Sequence, residues 1–323
     1  MPLWSIAIHG GAGNISRDID ATPFRRELAR ALDRAVSVVK REEAGVLVKW
    51  SEKSTIALRA AVEAVVLMED CPLFNAGKGS CLTTEGICEM EAAVMEGTDM
   101  DSGACCGVTT TVNPILLAEL VRTRTDHTFL SNEPLEKMAR DWGLKQEKHE
   151  FFVTEKRSAQ SKRAKELSAL ARDHDLEDDA KGTVGAVARD SDGNLAVAVS
   201  TGGMTNKLPG RIGDSPSIGT GCFATPFAAV CGTGTGEAFA NQASAAQVCF
   251  AMEYGGLSLQ DAVLKVLHEK MDKEAGGIIA VDADGEIAME ISSTGMFRAA
   301  QDSNGNYEMS IWDEKESGQR PAS

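Results

Sequence analysis

Chemistry in this sequence is suggested first at one junction, Gly182-Thr183. A threonine hydroxyl is a weak nucleophile until a base lies beside it. If the chain is cut before Thr183, the residue's own α-amino group becomes that neighbour. A free α-amine has a pKa of about 7.7–8.0, so near neutral pH it can act as general base. The glycine on the other side leaves the scissile carbonyl approachable. Gly-Thr dipeptides are common, but this one lies where a charged segment meets an apolar strand. More usual hydrolase equipment is missing: there is no GxSxG elbow and no HExxH. The five histidines, His9, His127, His149, His174 and His268, stand mostly in polar surroundings and suggest no triad. A hydrolase built on this chain is expected to use a base other than histidine.

Three glycine-rich loops bear on the same question. HGGAG (9–13) follows a strand, NAGKGS (75–80) lies in a loop and GTGTGE (232–237) precedes a helix. None has the spacing of a dinucleotide fingerprint or a P-loop. Tight turns alone would account for the glycines. The alternative is that their backbone N–H groups are left free for a developing oxyanion.

The elements that must position these loops follow from periodicity. Leu3–Ile8 reads as a buried strand, and Phe24–Lys40 and Ser54–Glu69 as helices. Leu82–Thr84 and Ile87–Met95 suggest a hairpin around Glu85-Gly86, and Gly103–Val112 another strand. Asn113-Pro114 opens a helix, and Glu133–Trp142 is expected to form one more. From about 155 to 182 the chain is so charged that an exposed, mobile linker with one short helix is expected. Then come a strand with Val184, Ala186 and Ala188 alternating, an Asp-Gly turn, and a strand with Leu195, Val197 and Val199 alternating. Helices at Ala238–Glu253 and Ser258–Lys270 precede a second Asp-Gly hairpin, Gly277–Ile291. The order implies a layered α/β sandwich with mostly antiparallel sheets, in one domain of 323 residues.

Composition narrows the partners. Basic residues number 33 against 48 acidic, a net charge of −15. That offers no phosphate-neutralising surface, which excludes nucleic acid and anionic membranes as expected partners. No apolar stretch is long enough for a membrane span, and the N-terminus does not read as a signal peptide. The eight cysteines form no CxxC and no zinc spacing with histidine, so buried reduced thiols in a cytoplasmic protein are expected.

The specificity lies in the combination. TVGAVARDSDGNLAVAVSTGGMTNKLPGRIGDSP, from Thr183 to Pro216, followed by CGTGTGE, closely resembles the plant-type L-asparaginases and isoaspartyl peptidases. IAIHGGAG, CPLFNAGKGS, EMEAAVMEG, SGACCGV and NPILLAELV extend the likeness through the first half. The likeness covers most of the chain, thinning in the linker and after about Arg298. These are N-terminal-nucleophile (Ntn) hydrolases, so the resemblance implies a four-layer αββα sandwich. It also implies autocatalytic cleavage at Gly182-Thr183 into an α chain, 1–182, and a β chain, 183–323. The implied reaction is hydrolysis of L-asparagine to L-aspartate and ammonia and of β-aspartyl dipeptides, with no organic cofactor.

Residue by residue, the resemblance implies that Thr183 is nucleophile and, through its amine, base. Thr201 would be its hydrogen-bonding neighbour and Asn75 a supporting group. Arg211 and Asp214, in the loop with Ile212 and Gly213, would clamp the substrate. That clamp makes chemical sense, since a guanidinium suits an α-carboxylate and an aspartate suits an α-ammonium. Thr233 and Gly234 would stabilise the oxyanion, with Thr235 and Gly236 beside the substrate backbone. Backbone carbonyls of Met68, Glu69, Cys71, Phe74, Ala76 and Lys78 would hold Na+ or K+, a hard ion suited to oxygen donors. The family assembly implied is an (αβ)2 heterotetramer.

Some features depart from the family. The polar segment Val46–Lys53 reads as a surface insertion, GTGCFATPFAA replaces the usual GAGCYA, and the C-terminal Gln301–Ser323 looks individual and partly disordered. Alternatives are a glycosylasparaginase-like hydrolase, a non-catalytic aspartate-binding relative that stays uncut, and a sequence-specific protease.

Overall fold

The computed structural model describes residues 3–40, 50–168, 180–313 and 316–319. The first half holds strand β1 (Ser5–Gly13), helices α1 (Thr22–Val39) and α2 (Ile56–Glu69), and strands β2 (Met90–Glu96) and β3 (Ser102–Val108). Helix α3 (Pro114–Arg124), strand β4 (Phe129–Ser131) and helices α4 (Asn132–Asp141), α5 (His149–Phe152) and α6 (Glu155–Ser168) follow. The second half begins with strands β5 (Ala180–Lys181), β6 (Val184–Arg189), β7 (Leu195–Thr201), β8 (Cys222–Ala224) and β9 (Ala228–Gly234). Helices α7 (Gly236–Gln242), α8 (Ser244–Glu253) and α9 (Leu259–Leu264, continued by a wider π turn over Lys265–Lys270) come next. Strands β10 (Gly276–Asp282), β11 (Ile287–Ile291), β12 (Gly295–Asp302), β13 (Asn306–Ser310) and β14 (Glu316–Gln319) finish the chain.

Strand alternation builds the layers. One sheet runs β14-β13-β12-β1-β6-β7-β2-β3-β4, with β5 on β1; the other runs β11-β10-β9-β8. Among the described strand ladders only β3–β4 is parallel. On β6, Val184, Ala186 and Ala188 join the core shared with α1, α2 and α3. Val187, together with Leu195, Val197 and Val199 of β7, joins the core shared with the smaller sheet and α8 and α9. Each central strand is therefore apolar on both faces, as a strand between two layers must be. The result is the αββα sandwich expected from the sequence.

Helix α2 shows how local chemistry fixes an element against this sheet. Thr55 caps it, its side chain accepting from Leu58 N at 3.2 Å. Asp190, at the β6–β7 turn, supplies a second acceptor: Oδ2 takes the Ala57 N–H at 3.1 Å. Its Oδ1 accepts from the backbone of Asp192 at 3.0 Å and of Asn194 at 2.9 Å. One buried carboxylate thus joins the hairpin turn to the positive end of a helix.

Several boundaries differ from expectation. The chain does turn at Glu85-Gly86, with Thr83 N–H on Ile87 O at 2.8 Å, but Thr83 forms only an isolated bridge with Lys207 and β2 begins at Met90, so no strand ladder precedes it. Strand β3 stops at Val108 because the Glu136 carboxylate collects the N–H groups of Thr109 and Thr110. The helix expected over 238–253 is two helices, broken at Ala243, whose φ of 49° is left-handed. The linker is not simply exposed. Helix α6 fills Glu155–Ser168, burying Arg157 and Ser161, with Arg157 Nε donating to Gly79 O at 2.7 Å. A charged helix with a weak apolar face can dock through polar groups, which periodicity does not register. Residues 169–179, and Val46–Lys49 of the proposed insertion, lie outside the described residues. The C-terminal segment adds β13 and β14 to the sheet edge.

Asp190→Ala leaves three backbone donors without their acceptor. A buried donor so orphaned costs about 1–3 kcal/mol. Denaturant unfolding should show a loss at least of that size, with the m-value unchanged.

Candidate active site

Strand register places the two threonines together. Val184 pairs with Ser200 across β6 and β7, so Thr183 stands opposite Thr201 at the end of the hairpin. Thr183 Oγ1 donates to Thr201 Oγ1 at 3.0 Å, and both residues are buried. Thr201 Oγ1 also accepts from Gly203 N at 3.0 Å, which fixes its rotamer.

Asn75 grips this arrangement from the loop after α2. Its backbone N–H donates to Gly182 O at 3.0 Å, and its carbonyl accepts from Gly202 N at 3.0 Å. Its side chain accepts from Cys81 N at 2.7 Å and donates to Gly203 O at 2.6 Å. The carbonyl of the 182–183 bond and the turn beside Thr201 are therefore held by one residue.

His9, which the sequence left unused, also touches this site. Its Nδ1 lies 3.1 Å from Thr183 O and its Nε2 lies 3.2 Å from Cys231 Sγ. It is buried in β1, and that burial lowers its pKa to about 3. The available signal was a polar residue continuing the apolar strand IAIHGG.

The loop 211–214 is anchored from below by residues that the sequence reading also passed over. Glu91 on β2 accepts from Gly213 N at 2.9 Å and pairs with Lys207 Nζ at 3.0 Å, fully buried. Arg211 NH2 lies 2.9 Å from Glu237 Oε1, and Arg211 Nε donates to the same oxygen. Asp214 is buried, and its Oδ2 has no partner among the described residues. Burial raises its pKa to about 7, with backbone and Arg211 opposing and Glu91 and Glu237 adding to the rise. Ile212 is half exposed. A Cβ on Gly236 would sit 2.7 Å from Asp214 Oδ1 and 2.8 Å from Arg211 NH2. The bare backbone there lets guanidinium and carboxyl converge on one spot.

Thr233 and Gly234 end β9. Thr233 is buried and its hydroxyl has no partner among the described residues. Gly234 has a φ of 144°, and a side chain would collide with the Ala275 carbonyl. Thr235 leads into α7 with its N–H on Ala275 O at 2.7 Å. A hydroxyl donor and a buried carboxyl oxygen without partners, beside a guanidinium, suit a small zwitterionic ligand with a polarised carbonyl.

Among the described residues no cluster of His, Cys, Asp and Glu could hold a metal. The loop from Met68 to Lys78 offers a different kind of donor, backbone carbonyls. The Glu69 carboxyl turns away to Ser200 Oγ at 2.6 Å and Ile115 N at 3.0 Å. The Lys78 ammonium lies 5.1 Å over the Phe151 ring. Of the six carbonyls, those of Met68, Glu69 and Cys71 already accept backbone N–H groups, from Cys71 at 3.3 Å, Lys78 at 2.8 Å and Phe74 at 3.4 Å, and each keeps a second lone pair of the kind a hard monovalent cation takes.

Comparison with known proteins agrees with the fold. The asparaginase family model matches residues 2–311. An isoaspartyl peptidase of Salmonella typhimurium is 44% identical over 91% of this chain and 94% of its own. An isoaspartyl peptidase of Escherichia coli is 42% identical over 91% of each chain. An isoaspartyl peptidase/L-asparaginase of Danio rerio is 38% identical, again over 91% of each.

The raised Asp214 pKa has a sign. Folded protein holds this proton between the ordinary carboxylate pKa of 3.8 and about 7, where unfolded protein has lost it. The associated stability is full below pH 3.8 and is lost as pH rises through 7. Thermal melting of the unliganded protein should show Asp214→Asn matching wild type near pH 4 and exceeding it at pH 8. A constant difference across that range would show that Asp214 does not titrate so.

Proposed function

The chain belongs to the asparaginase family, and from that premise we propose that it hydrolyses L-asparagine to L-aspartate and ammonia, and β-aspartyl dipeptides to aspartate and an amino acid, with Thr183 as nucleophile. The observation that carries the mechanism is the junction itself. The Thr183 hydroxyl stands 3.0 Å from Thr201, while the Gly182 carbonyl accepts the Asn75 N–H at 3.0 Å.

In the uncut chain, Thr183 Oγ1 attacks the Gly182 carbonyl carbon. The developing oxyanion meets the Asn75 N–H. The C–N bond breaks, the hydroxyl proton ends on the Thr183 nitrogen, and an ester remains. Water hydrolyses that ester, leaving chains 1–182 and 183–323.

The freed amine then serves as base. It takes the Thr183 hydroxyl proton as Oγ1 attacks the substrate's side-chain carbonyl. Thr233 Oγ1 and the Gly234 N–H stabilise the tetrahedral oxygen, and the amine returns its proton to the leaving ammonia or amino group. Water releases aspartate from the aspartyl ester. Arg211 takes the α-carboxylate, exchanging its bond to Glu237 for the ligand, and Asp214 takes the α-ammonium. Ile212, Gly213, Thr235 and Gly236 shape the walls.

The carbonyls of Met68, Glu69, Cys71, Phe74, Ala76 and Lys78 would hold Na+ or K+, which stiffens the loop carrying Asn75. The (αβ)2 assembly belongs to the same proposal and rests on the family resemblance. Among the described residues no helix is long and apolar enough to cross a membrane. A cytoplasmic site of action is supported by eight unpaired cysteines, seven of them buried.

Intact mass of denatured protein, before and after incubation, tests the junction. Two chains are expected, the second beginning at Thr183, and Thr183→Ala should remain a single inactive chain. A stable uncut wild-type chain would overturn the mechanism. Thr233→Val should be cut as wild type yet lose about 10²–10³ in kcat, the usual consequence of removing one oxyanion donor. Steady-state assay on L-asparagine and a β-aspartyl dipeptide measures this.

A further inference from the structure

The ladder between β1 and β6 ends with His9 opposite Gly185, two residues short of Thr183. Beyond that last rung the His9 side chain takes over, with Nδ1 3.1 Å from Thr183 O and Nε2 3.2 Å from Cys231 Sγ on β9. A Cβ on Gly185 would overlap both Nε2 and Sγ, so this close approach needs glycine there.

The proton arrangement follows from what each atom can do. A carbonyl only accepts, so Nδ1 must carry the hydrogen. A neutral imidazole has one N–H, which leaves Nε2 as acceptor. Cys231 is then the donor. Burial keeps both groups in these forms: it lowers the His9 pKa to about 3 and pushes the Cys231 thiol well up.

We propose that His9 is a positioning residue for the hydrolysis, holding the Thr183 carbonyl through Nδ1–H while the Cys231 thiol fixes the tautomer. This rests on the reading of Thr183 as the nucleophile. In the uncut chain Thr183 is restrained from both sides. After cleavage the covalent hold is the 183–184 peptide alone, with the 3.0 Å bond to Thr201 on the hydroxyl, and rotation of that peptide plane shifts both amine and hydroxyl relative to the substrate carbonyl. The His9 bond opposes that rotation. His9 touches no reacting atom, so its effect belongs in kcat.

Two amide replacements separate the ring nitrogens. In His9→Asn the amide nitrogen falls where Nδ1 was; in His9→Gln it reaches toward Nε2. Cut protein, normalised by intact mass, is assayed on a β-aspartyl dipeptide. His9→Asn should keep kcat within about threefold. His9→Gln should lose about 10–100-fold at unchanged KM, since a misplacement of about 1 Å can cost about 10²-fold. Cys231→Ala should lose kcat more mildly and Cys231→Ser should restore it. Nitrogen-15 spectra of histidine-labelled wild type should show one imidazole that does not titrate between pH 4 and 8, protonated at Nδ1.

Equal kcat in His9→Asn and His9→Gln overturns the proposal, as does a loss confined to KM or an Nε2–H tautomer. The tautomer is read on wild type, so a variant that does not fold leaves the test intact. Wild type that is neither cut nor active would instead sink the nucleophile reading, whereas cut, active wild type with indifferent variants sinks only the role of His9.

Discussion

Everything at the site depends on the pairing of β6 with β7. Val184 opposite Ser200 brings Thr183 and Thr201 to the same end of one hairpin. A slip of β6 by one residue would exchange its two faces and turn the Thr183 hydroxyl away from its partner. The register is strongly specified because neither face can tolerate the slip. Small side chains, Ala186, Ala188, Ala196 and Ala198, lie under the helices, while the larger Leu195, Val197 and Val199 fill the space between sheets. The turn is pinned separately by Asp190, whose carboxylate closes the hairpin end and reaches α2.

Around that hairpin the structure places polar groups in its interior and pairs many of them. Glu91 and Lys207 neutralise each other under the 211–214 loop, Glu69 takes Ser200, and Asn75 uses both side-chain atoms and its backbone. A buried polar group without a partner costs stability. Among the described residues Glu69 Oε2, Ser80 Oγ, Ser215 Oγ, Asp214 Oδ2 and Thr233 Oγ1 are left so, and of these Asp214 and Thr233 belong to the two loops flanking Gly236. A ligand of complementary shape and charge would offset that cost.

How much of this could be read from the sequence depended on the distance over which the signal acts. Alternation along 184–188 and 195–199 is local, so the central hairpin and its two-sided burial were legible. Short glycine-containing motifs fixed the loops, because a backbone with φ near 144° or a close approach to Asp214 admits little else. Glu91, Lys207, Glu237 and His9 were not legible. Each acts through a partner 26 to 222 residues away, and nothing in its own neighbourhood marks it. Helix α6 was under-read for a related reason: its buried face is made by Arg157, Ser161 and Ala164, not by large apolar residues.

A cleavage site inside a sheet, as proposed, would also supply the chemistry that follows. Strand β6 has a neighbour on each edge, β1 and β7, so a break before Thr183 leaves its downstream backbone paired. The new terminus would stay where Thr183 now lies, only 9% exposed. Desolvation disfavours an ammonium, so an amine held there is pushed below its ordinary pKa, toward the free base that the mechanism requires. The same dryness raises the Asp214 pKa, which at first works against binding a cation. The substrate's own ammonium reverses this, because an opposite charge beside a buried carboxyl favours its ionised form. In the proposed mechanism one environment would thus keep the base neutral and make the clamp's charge depend on its ligand.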